Sequence, residues 1–299
     1  MAPEAGNRCG ILLLDKPPGM SSNAALQRVR RLLGRPKAGH TGSLDPLATG
    51  MLPICVGEAT KLAGALLDGA KGYTVQMRLG ERTETGDTEG AIIERVAVPP
   101  LDRSAIEAAF ATLRGPQLQV PPMHSALKRD GQPLYKLARQ GLSVERAPRA
   151  VEIRRLELLE FTADGLRAQV ECTKGTYIRT LAEQIGGALG TVAHVTSLRR
   201  DFVEPFRDSP MLTLAQLEAR PGEPTLLAAD LAVGHLYGLR LSPAQARAIG
   251  HGQQIEAEAP MGPLRLYDSS GAFLGLGRGL GAGRVAAARL FAEAIARLP

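Results

Sequence analysis

The segment from residue 39 to residue 53 restricts the fold of this chain more than any other stretch of its sequence. It carries three glycines, two prolines and three hydroxyl residues in the string GHTGSLDPLATGMLP. Glycine and proline at this density interrupt regular structure, and Pro46 disfavours a helical conformation at Asp45. An aspartate before a proline is by itself more often a turn former than a catalyst. Because Leu44 and Leu47 can anchor the loop in a core, however, the segment also suits an acid held in one orientation and partly desolvated, as a nucleophile or general base must be.

Hydrophobic periodicity predicts both strands and helices in the rest of the chain. They interleave without strict βαβ alternation, which favours an α+β fold. Strands are predicted over residues 11–14, 73–79, 91–98, 151–161, 166–173 and 192–203, with a polar loop over 80–90. Helices are predicted after a cap at Ser21 or Ser22 and ending at Gly34, after a cap at Ser104, over 178–189, and after a cap at Thr213.

The chain changes character after Pro205 and again in its last sixty or so residues. Pro221 to Pro224 form a break, and the tail is rich in glycine with short strand-like pieces near residues 264–267, 273–277 and 283–285. This pattern predicts a small β-rich domain after a larger one. We place the domains at residues 1–234 and 235–299.

The charge distribution indicates an anionic partner. The chain has 36 Lys and Arg against 30 Asp and Glu, a formal net charge of +6. Residues 21–40 hold Arg28, Arg30, Arg31, Arg35 and Lys37 with no acid, and residues 128–149 hold six basic residues against two acids. Each run alone is commonly a solvated face, but two such one-sided runs favour a polyanion.

Other site classes lack support in the sequence. The three cysteines are far apart and form no Cys-x-x-Cys pair, and the five histidines show no metal-binding spacing. No apolar run approaches the roughly 18 residues of a membrane span. The string GRGLGA at 277–282 fits a dinucleotide pattern formally, but it lies in the glycine-rich tail without a following helix. We therefore expect no metal, no cofactor, no membrane association and a reducing, cytoplasmic location. We also expect the acids Glu81, Glu84, Asp87 and Glu89 to be solvated surface charges.

Five ordered motifs resemble those of one enzyme family, the tRNA pseudouridine-55 synthases of the TruB type. The loop at 39–53 resembles that family's catalytic-aspartate motif. The other four resembling segments are LDKPPGMSS at 14–22, KGYT with RLG and TETGD at 71–87, QVPPMHSALK at 119–128, and CTKGTYIRT at 172–180. The tail resembles, less specifically, the family's PUA-like RNA-binding domain. The resemblance implies a mixed, mainly antiparallel central sheet flanked by helices, followed by this small β domain.

The resemblance also implies catalytic roles that need no cofactor. Asp45 matches the catalytic carboxylate, and Arg179 the residue that pairs with it and keeps it ionised. Tyr73 matches the tyrosine that stacks on the target base and can assist in removing a proton. An ordinary tyrosine pKa near 10 makes stacking the sounder of these two roles.

The remaining matched residues imply RNA binding. His40 matches a side chain that wedges into the tRNA T-loop where bases are displaced, and Tyr177 and Leu198 match residues that line the pocket for the flipped uridine. The expected partner is the T-stem-loop of tRNA, bound by a monomer that requires no protein partner. Three alternatives remain: a tRNA-binding or folding protein, a guide-RNA-dependent pseudouridine synthase subunit, and an unrelated hydrolase with an aspartate nucleophile.

Overall fold

The computed structural model describes residues 8–125, 127–129, 131–221 and 226–298. The strands in this part of the chain are β1 Gly10–Lys16, β2 Ala38–His40, β3 Thr49–Val56, β4 Lys71–Leu79, β5 Glu81–Thr83, β6 Ile92–Arg95, β7 Gly115–Gln119, β8 Lys128–Arg129, β9 Gln132–Pro133, β10 Arg149–Phe161, β11 Gly165–Cys172, β12 Ala193–Val203, β13 Leu212–Thr213, β14 Tyr237–Arg240, β15 Ile255–Glu256, β16 Gly262–Tyr267, β17 Phe273–Gly281 and β18 Arg284–Leu290.

The α-helices in the same residues are α1 Ser22–Leu32, α2 Ala63–Asp68, α3 Arg103–Leu113, α4 Leu134–Ala138, α5 Ile178–Ala188, α6 Leu214–Ala219, α7 Pro243–Gly250 and α8 Ala292–Ile295. Two short 3₁₀ helices, Gly57–Leu62 and Ala229–Val233, add to them. Among these helices none is long and apolar enough to cross a membrane.

A nine-stranded sheet forms the larger part of the molecule. Its strand order is β13-β1-β3-β12-β4-β11-β10-β7, with β2 also paired to β3. The pairs β1–β13 and β3–β12 are parallel and the other neighbours are antiparallel. The predicted fold class, a mixed and mainly antiparallel sheet with helices and a second β-rich part, is confirmed. The central position of β3, β12 and β4 brings the loop before β3 next to side chains of the other two strands.

Helix α1 forms for the reason that the sequence indicates. The Ser21 side chain accepts a hydrogen bond from the Ala24 amide at 3.1 Å, and Ala25 and Val29 are fully buried on one face. The helix ends at Leu32 and Gly34 follows it with φ +82°, a left-handed conformation that glycine adopts without strain.

Two local predictions were wrong. Helix α3 is capped by Asp102, whose carboxylate accepts from the Ala105 amide at 2.8 Å, while Ser104 donates its hydroxyl proton to Asp102. An ionised carboxylate is the stronger acceptor at a helix N-terminus, so it takes the cap. The segment at 80–90 is likewise not loop throughout, because β5 pairs with β6 before the chain turns.

The second sheet has the order β14-β16-β17-β18-β15 and packs against the first part of the chain. The buried side chain of Phe291 belongs to the same apolar cluster as Leu62 and Leu66. Polar contacts cross the same boundary, since Lys61 donates to the Leu290 carbonyl at 2.7 Å and Glu58 accepts from the Ala292 amide at 2.8 Å. The small β-rich part is therefore docked through shared core packing.

Replacing Phe291 tests the contribution of this docking to stability. Phe291 is 6% exposed and its ring meets that of Phe273 edge-on at 5.2 Å. We expect Phe291→Ala to lower the free energy of unfolding by about 3–5 kcal/mol, because it leaves a cavity in a shared core. The matched control is Met261→Ala at a side chain that is 78% exposed. Equal denaturant midpoints for the two variants would contradict the role assigned to Phe291.

Candidate active site

The loop that carries Asp45 is fixed by side chains that bind its backbone. Lys16, which is fully buried, donates to the carbonyls of Pro17, Met20 and Pro46 at 2.8, 2.8 and 3.3 Å. The buried Ser22 hydroxyl donates to the Leu44 carbonyl at 3.0 Å and accepts from the Leu44 amide at 2.7 Å. The residues on both sides of Asp45 are thus held by the end of β1 and the start of α1.

Arg179 binds Asp45 from the first turn of α5. Its Nε lies 3.0 Å from one carboxylate oxygen, and its Nη2 donates to the other at 3.3 Å. The guanidinium also donates to the carbonyls of Thr85 at 2.7 Å and His124 at 2.6 Å. The Arg179 side chain is 6% exposed and that of Asp45 is 36% exposed. The planar guanidinium therefore orients a carboxylate that solvent and substrate can still reach.

Asp87 also takes part in this network, and its prediction as a surface charge was wrong. It is 2% exposed and its carboxylate lies 3.5 Å from Arg179 Nη1. It accepts hydrogen bonds from the Thr85 hydroxyl and the Glu89 amide, which fold the turn after β5 around it. A polar turn sequence hides this burial, because it depends on α5, more than ninety residues further along the chain.

Burial raises the pKa of the Asp45 carboxyl above its usual value, against the opposing effect of the Arg179 guanidinium, while the Asp87 carboxylate raises it further. The sequence-based expectation considered only the arginine. The net shift of the Asp45 pKa is upward instead, because the loop is desolvated and a second acid, Asp87, shares the Arg179 cation. The protein thus favours the protonated form of Asp45 more than water does.

Asp45 opens onto a cavity of about 580 Å³. Tyr73, Tyr177, Arg179 and Leu198 line the same cavity, so these predicted site residues lie together. The strands β4 and β12 supply Tyr73 and Leu198, and Tyr177 is the residue that precedes α5. Burial raises the pKa of the Tyr73 hydroxyl to about 12, so the side chain is a neutral phenol near neutral pH.

His40 lies beside a neighbouring cavity of about 530 Å³, which Asp45 and Arg179 also line. It ends β2, opposite Ile54 of β3. Its Nδ1 is buried with no hydrogen-bond partner among the described residues, and burial lowers its pKa. The structure therefore groups five of the six predicted residues around one cavity and places His40 next to it.

Three buried cations at the site had no role in the sequence-based prediction. They are Lys16 behind the Asp45 loop, and Lys71 and Arg200 on the cavity wall. Two of them stand inside the matched motifs, LDKPPG and KGYT, which was the available signal. In the described residues no group of three or more His, Cys, Asp or Glu is placed to hold a metal ion.

The basic face of α1 is only partly available to a partner. Arg28 pairs with Glu218, and Arg30 donates to the Pro36 carbonyl at 3.0 Å. Arg31 is exposed and forms no ion pair with any described residue. The helix therefore presents fewer free cations than its sequence suggests.

Comparisons with known proteins agree on one family. Residues 30–178 match the model of the TruB family pseudouridylate synthase N-terminal domain. Residues 179–226 match the tRNA pseudouridylate synthase B C-terminal domain, and residues 238–291 match the C-terminal part of pseudouridine synthase II TruB.

Curated relatives are similar over nearly the whole chain. The tRNA pseudouridine synthase B of Chromohalobacter salexigens is 51% identical over 288 residues, 94% of each protein. That of Stutzerimonas stutzeri is 52% identical over 290 residues, covering 94% of this chain and 95% of the relative.

Two solved structures share the fold. A Cbf5-Nop10-Gar1 complex contains a chain with a TM-score of 0.70 and 25% identity, over 92% of this chain and 79% of that one. A structure of an H/ACA RNP bound to a substrate RNA gives a TM-score of 0.71 at 22% identity, over 94% of this chain and 84% of that one. At that identity the second likeness concerns the fold alone.

Removing the Ser22 hydroxyl tests how the Asp45 loop is held. Ser22→Ala leaves the buried Leu44 amide and carbonyl without this partner. We expect the free energy of unfolding to fall by about 1–3 kcal/mol, the cost of an unsatisfied buried polar group. Ser43→Ala, an exposed hydroxyl in the same loop, is the control. If chemical denaturation gives the same midpoint for both variants, the clamp through Ser22 is unimportant.

Proposed function

Because the chain belongs to the TruB family of pseudouridylate synthases, we propose that it is a tRNA pseudouridine synthase that isomerises a uridine in the Asp45 cavity. The observation that carries the proposal is the Asp45–Arg179 pair, oriented by two hydrogen-bonding nitrogens and open to a cavity of nucleoside size. The high identity to tRNA pseudouridine synthase B over 94% of the chain supports tRNA as the substrate.

The reaction suits a site built from a carboxylate and a cation. Uridine becomes pseudouridine when the N1–C1′ bond breaks, the base turns, and C5 bonds to C1′. No electrons are exchanged with a second molecule and no group is imported. A carboxylate near C1′ or C6 can act as nucleophile or stabilise positive charge on the sugar, and Asp45 fits either position.

Tyr73, Tyr177 and Leu198 form the apolar part of the proposed base pocket. A neutral tyrosine ring stacks on any base, and the raised pKa of Tyr73 keeps it neutral. Since the target lies within folded RNA, we propose that it flips out of its stack, a step that costs a few kcal/mol. We assign it to position 55 in the T-loop, with His40 occupying space next to the vacated stack.

We further propose that residues 235–299 form a PUA-like RNA-binding domain attached to a catalytic domain of residues 1–234. Exposed cations that have no acidic partner among the described residues, such as Arg31, supply phosphate contacts, which give affinity without base choice. We place the protein in the cytoplasm, where tRNA is modified in bacteria, and expect a monomer to bind the T-stem-loop.

The alternatives receive less support. A guide-RNA-dependent subunit shares the fold, yet the identity to the Cbf5 complex is 25% against 51% to a tRNA pseudouridine synthase B. A tRNA-folding protein without catalysis would not need the buried Arg179 aimed at an accessible Asp45. An unrelated hydrolase is excluded by membership of the family.

Asp45→Asn tests the catalytic assignment. We expect no pseudouridine in single-turnover assays on unmodified tRNA, while tRNA binding persists. Because the folded protein raises the pKa of Asp45, it favours the protonated acid, and the stability linked to this group is lost as pH rises from the unfolded-state pKa through the folded-state one. The neutral amide should therefore leave the melting temperature at pH 7 unchanged or higher. Asp208→Asn, at an exposed acid, is the control. Activity within tenfold of the unsubstituted protein would refute the assignment.

Arg31→Gln tests whether α1 contacts tRNA. Glutamine keeps helix propensity, so the fold should be unaffected. A phosphate contact releases counterions, and its loss should make the slope of log affinity against log salt shallower by roughly 0.7–0.9. Arg155→Gln on β10 removes the same charge at a residue paired with Glu157 and is the control. Identical salt slopes for the two variants would mean that α1 faces solvent in the complex.

A further inference from the structure

Two buried cations on the wall of the Asp45 cavity have no part in the mechanism so far. Arg200 is 1% exposed and Lys71 is 7% exposed, and both line the cavity. Buried charges are expected to be paired, because burial removes their hydration. Within the described ranges, neither side chain forms an ion pair with a carboxylate.

Neutral oxygens satisfy only part of their hydrogen-bonding capacity. Arg200 donates from Nε to the Met51 carbonyl at 2.7 Å and from Nη2 to the Gly42 carbonyl at 2.9 Å. Lys71 donates to the carbonyls of Leu67 and Gly69, at the end of α2. Carbonyl dipoles orient the two cations without neutralising them, so the wall keeps a net positive charge.

The two cations lie together beneath the loop that leads to Asp45. A side-chain carbon placed on Gly42 would stand 3.4 Å from Arg200 Nη1 and 4.0 Å from Lys71 Cε. Tyr73 is opposite Arg200 in the β4–β12 register, and it lines the same cavity as both cations. The ring proposed to stack on the base therefore stands next to both cations.

We propose that Lys71 and Arg200 form a subsite for a negatively charged oxygen of the uracil ring, and that they stabilise the charge which the base acquires during isomerisation. The inference rests on the proposed function. It adds a second charged element to the site, on the side of the base rather than of the sugar.

Both possible routes of attack place this charge on the base. If Asp45 displaces the base at C1′, the N1–C1′ bonding pair leaves with uracil, and the negative charge spreads over N1, O2 and O4. If Asp45 adds to C6, the C5–C6 π pair moves toward O4 and gives an enolate. In each case the N1–C1′ bond breaks, C5 bonds to C1′ and loses its proton, N1 gains one, and the bond to Asp45 breaks so that the free carboxylate is restored. A preorganised cation pair lowers the energy of either anion.

A base oxygen fits this position better than an RNA phosphate. A target nucleotide remains joined to the RNA through both of its phosphates, which keeps them toward the cavity mouth. The base is the part that enters, and it alone must turn inside. Burial and the neighbouring Arg200 lower the pKa of Lys71 to about 8, which is the behaviour of a cation that lacks a permanent anionic partner.

Changing the acidity of the base tests the subsite. Two tRNA transcripts would carry either uridine or 5-fluorouridine at the target position, and fluorine withdraws electrons and stabilises the ring anion. We expect Lys71→Gln to slow single-turnover consumption of uridine by about 10²-fold, as the loss of one charge-stabilising donor does elsewhere. Its effect on 5-fluorouridine should be smaller, because the fluorine already stabilises part of the ring's negative charge. Lys71→Arg should restore most of the rate.

The control is Lys174→Gln, which removes an exposed lysine paired with Asp68 near the same cavity and should slow neither substrate. Equal rate losses on uridine and 5-fluorouridine would overturn the proposal and leave Lys71 a structural residue. Weaker tRNA binding with a shallower salt slope and normal turnover at saturation would also overturn it, in favour of a phosphate contact. If circular dichroism shows that Lys71→Gln is unfolded, Arg200→Gln removes the other cation and gives the same comparison, and the same two results would overturn the proposal. Lack of turnover by the unsubstituted protein would refute the proposed function itself.

Discussion

The geometry of the site depends on the buried guanidinium of Arg179. This one side chain contacts Asp45, the turn at Thr85 and Asp87, and the carbonyl of His124. It thus joins α5 to three segments that are far apart in sequence. One cation shared by two carboxylates leaves a net negative charge, and removing the arginine would leave both acids without their partner, a loss of about 3–5 kcal/mol for a buried pair. Structural integrity and catalytic orientation therefore rest on the same contacts.

Other buried side chains support the Asp45 loop on the side opposite Arg179. Lys16 and Ser22 bind its backbone rather than its carboxylate, so they fix where Asp45 stands while leaving it exposed. A rigid support permits the carboxylate to be held in an unfavourable environment, where its pKa is raised. The buried side chains of Leu44 and Ala48 belong to the same apolar cluster as residues of β3, which anchors this support.

The sequence predicts those features that depend on local pattern. Alternating and helical periodicity indicated β4, β12 and α5, and Ser21 was a candidate cap for α1. The motif around Asp45 indicated the acid. Features that depend on distant residues were missed or misjudged. Asp87 looks solvated until α5 covers it, and the pKa of Asp45 depends on that second acid. The cap of α3 was misassigned, because Asp102, two residues before Ser104, accepts from the Ala105 amide and starts the helix earlier.

In the proposed reaction, the charges around the cavity lie on two sides of the target nucleotide. Asp45, with Asp87 behind Arg179, supplies the carboxylate that attacks C1′ or C6. Lys71 and Arg200 supply positive charge beside Tyr73, where a base would become negative. Burying the acids Asp45 and Asp87, or the cations Lys71 and Arg200, costs free energy. In the free protein, Lys71 and Arg200 form no ion pair with these acids. In the proposed reaction the anion that forms on the base pairs with Lys71 and Arg200, so the electrostatic cost of burying these cations is recovered only as that charge develops.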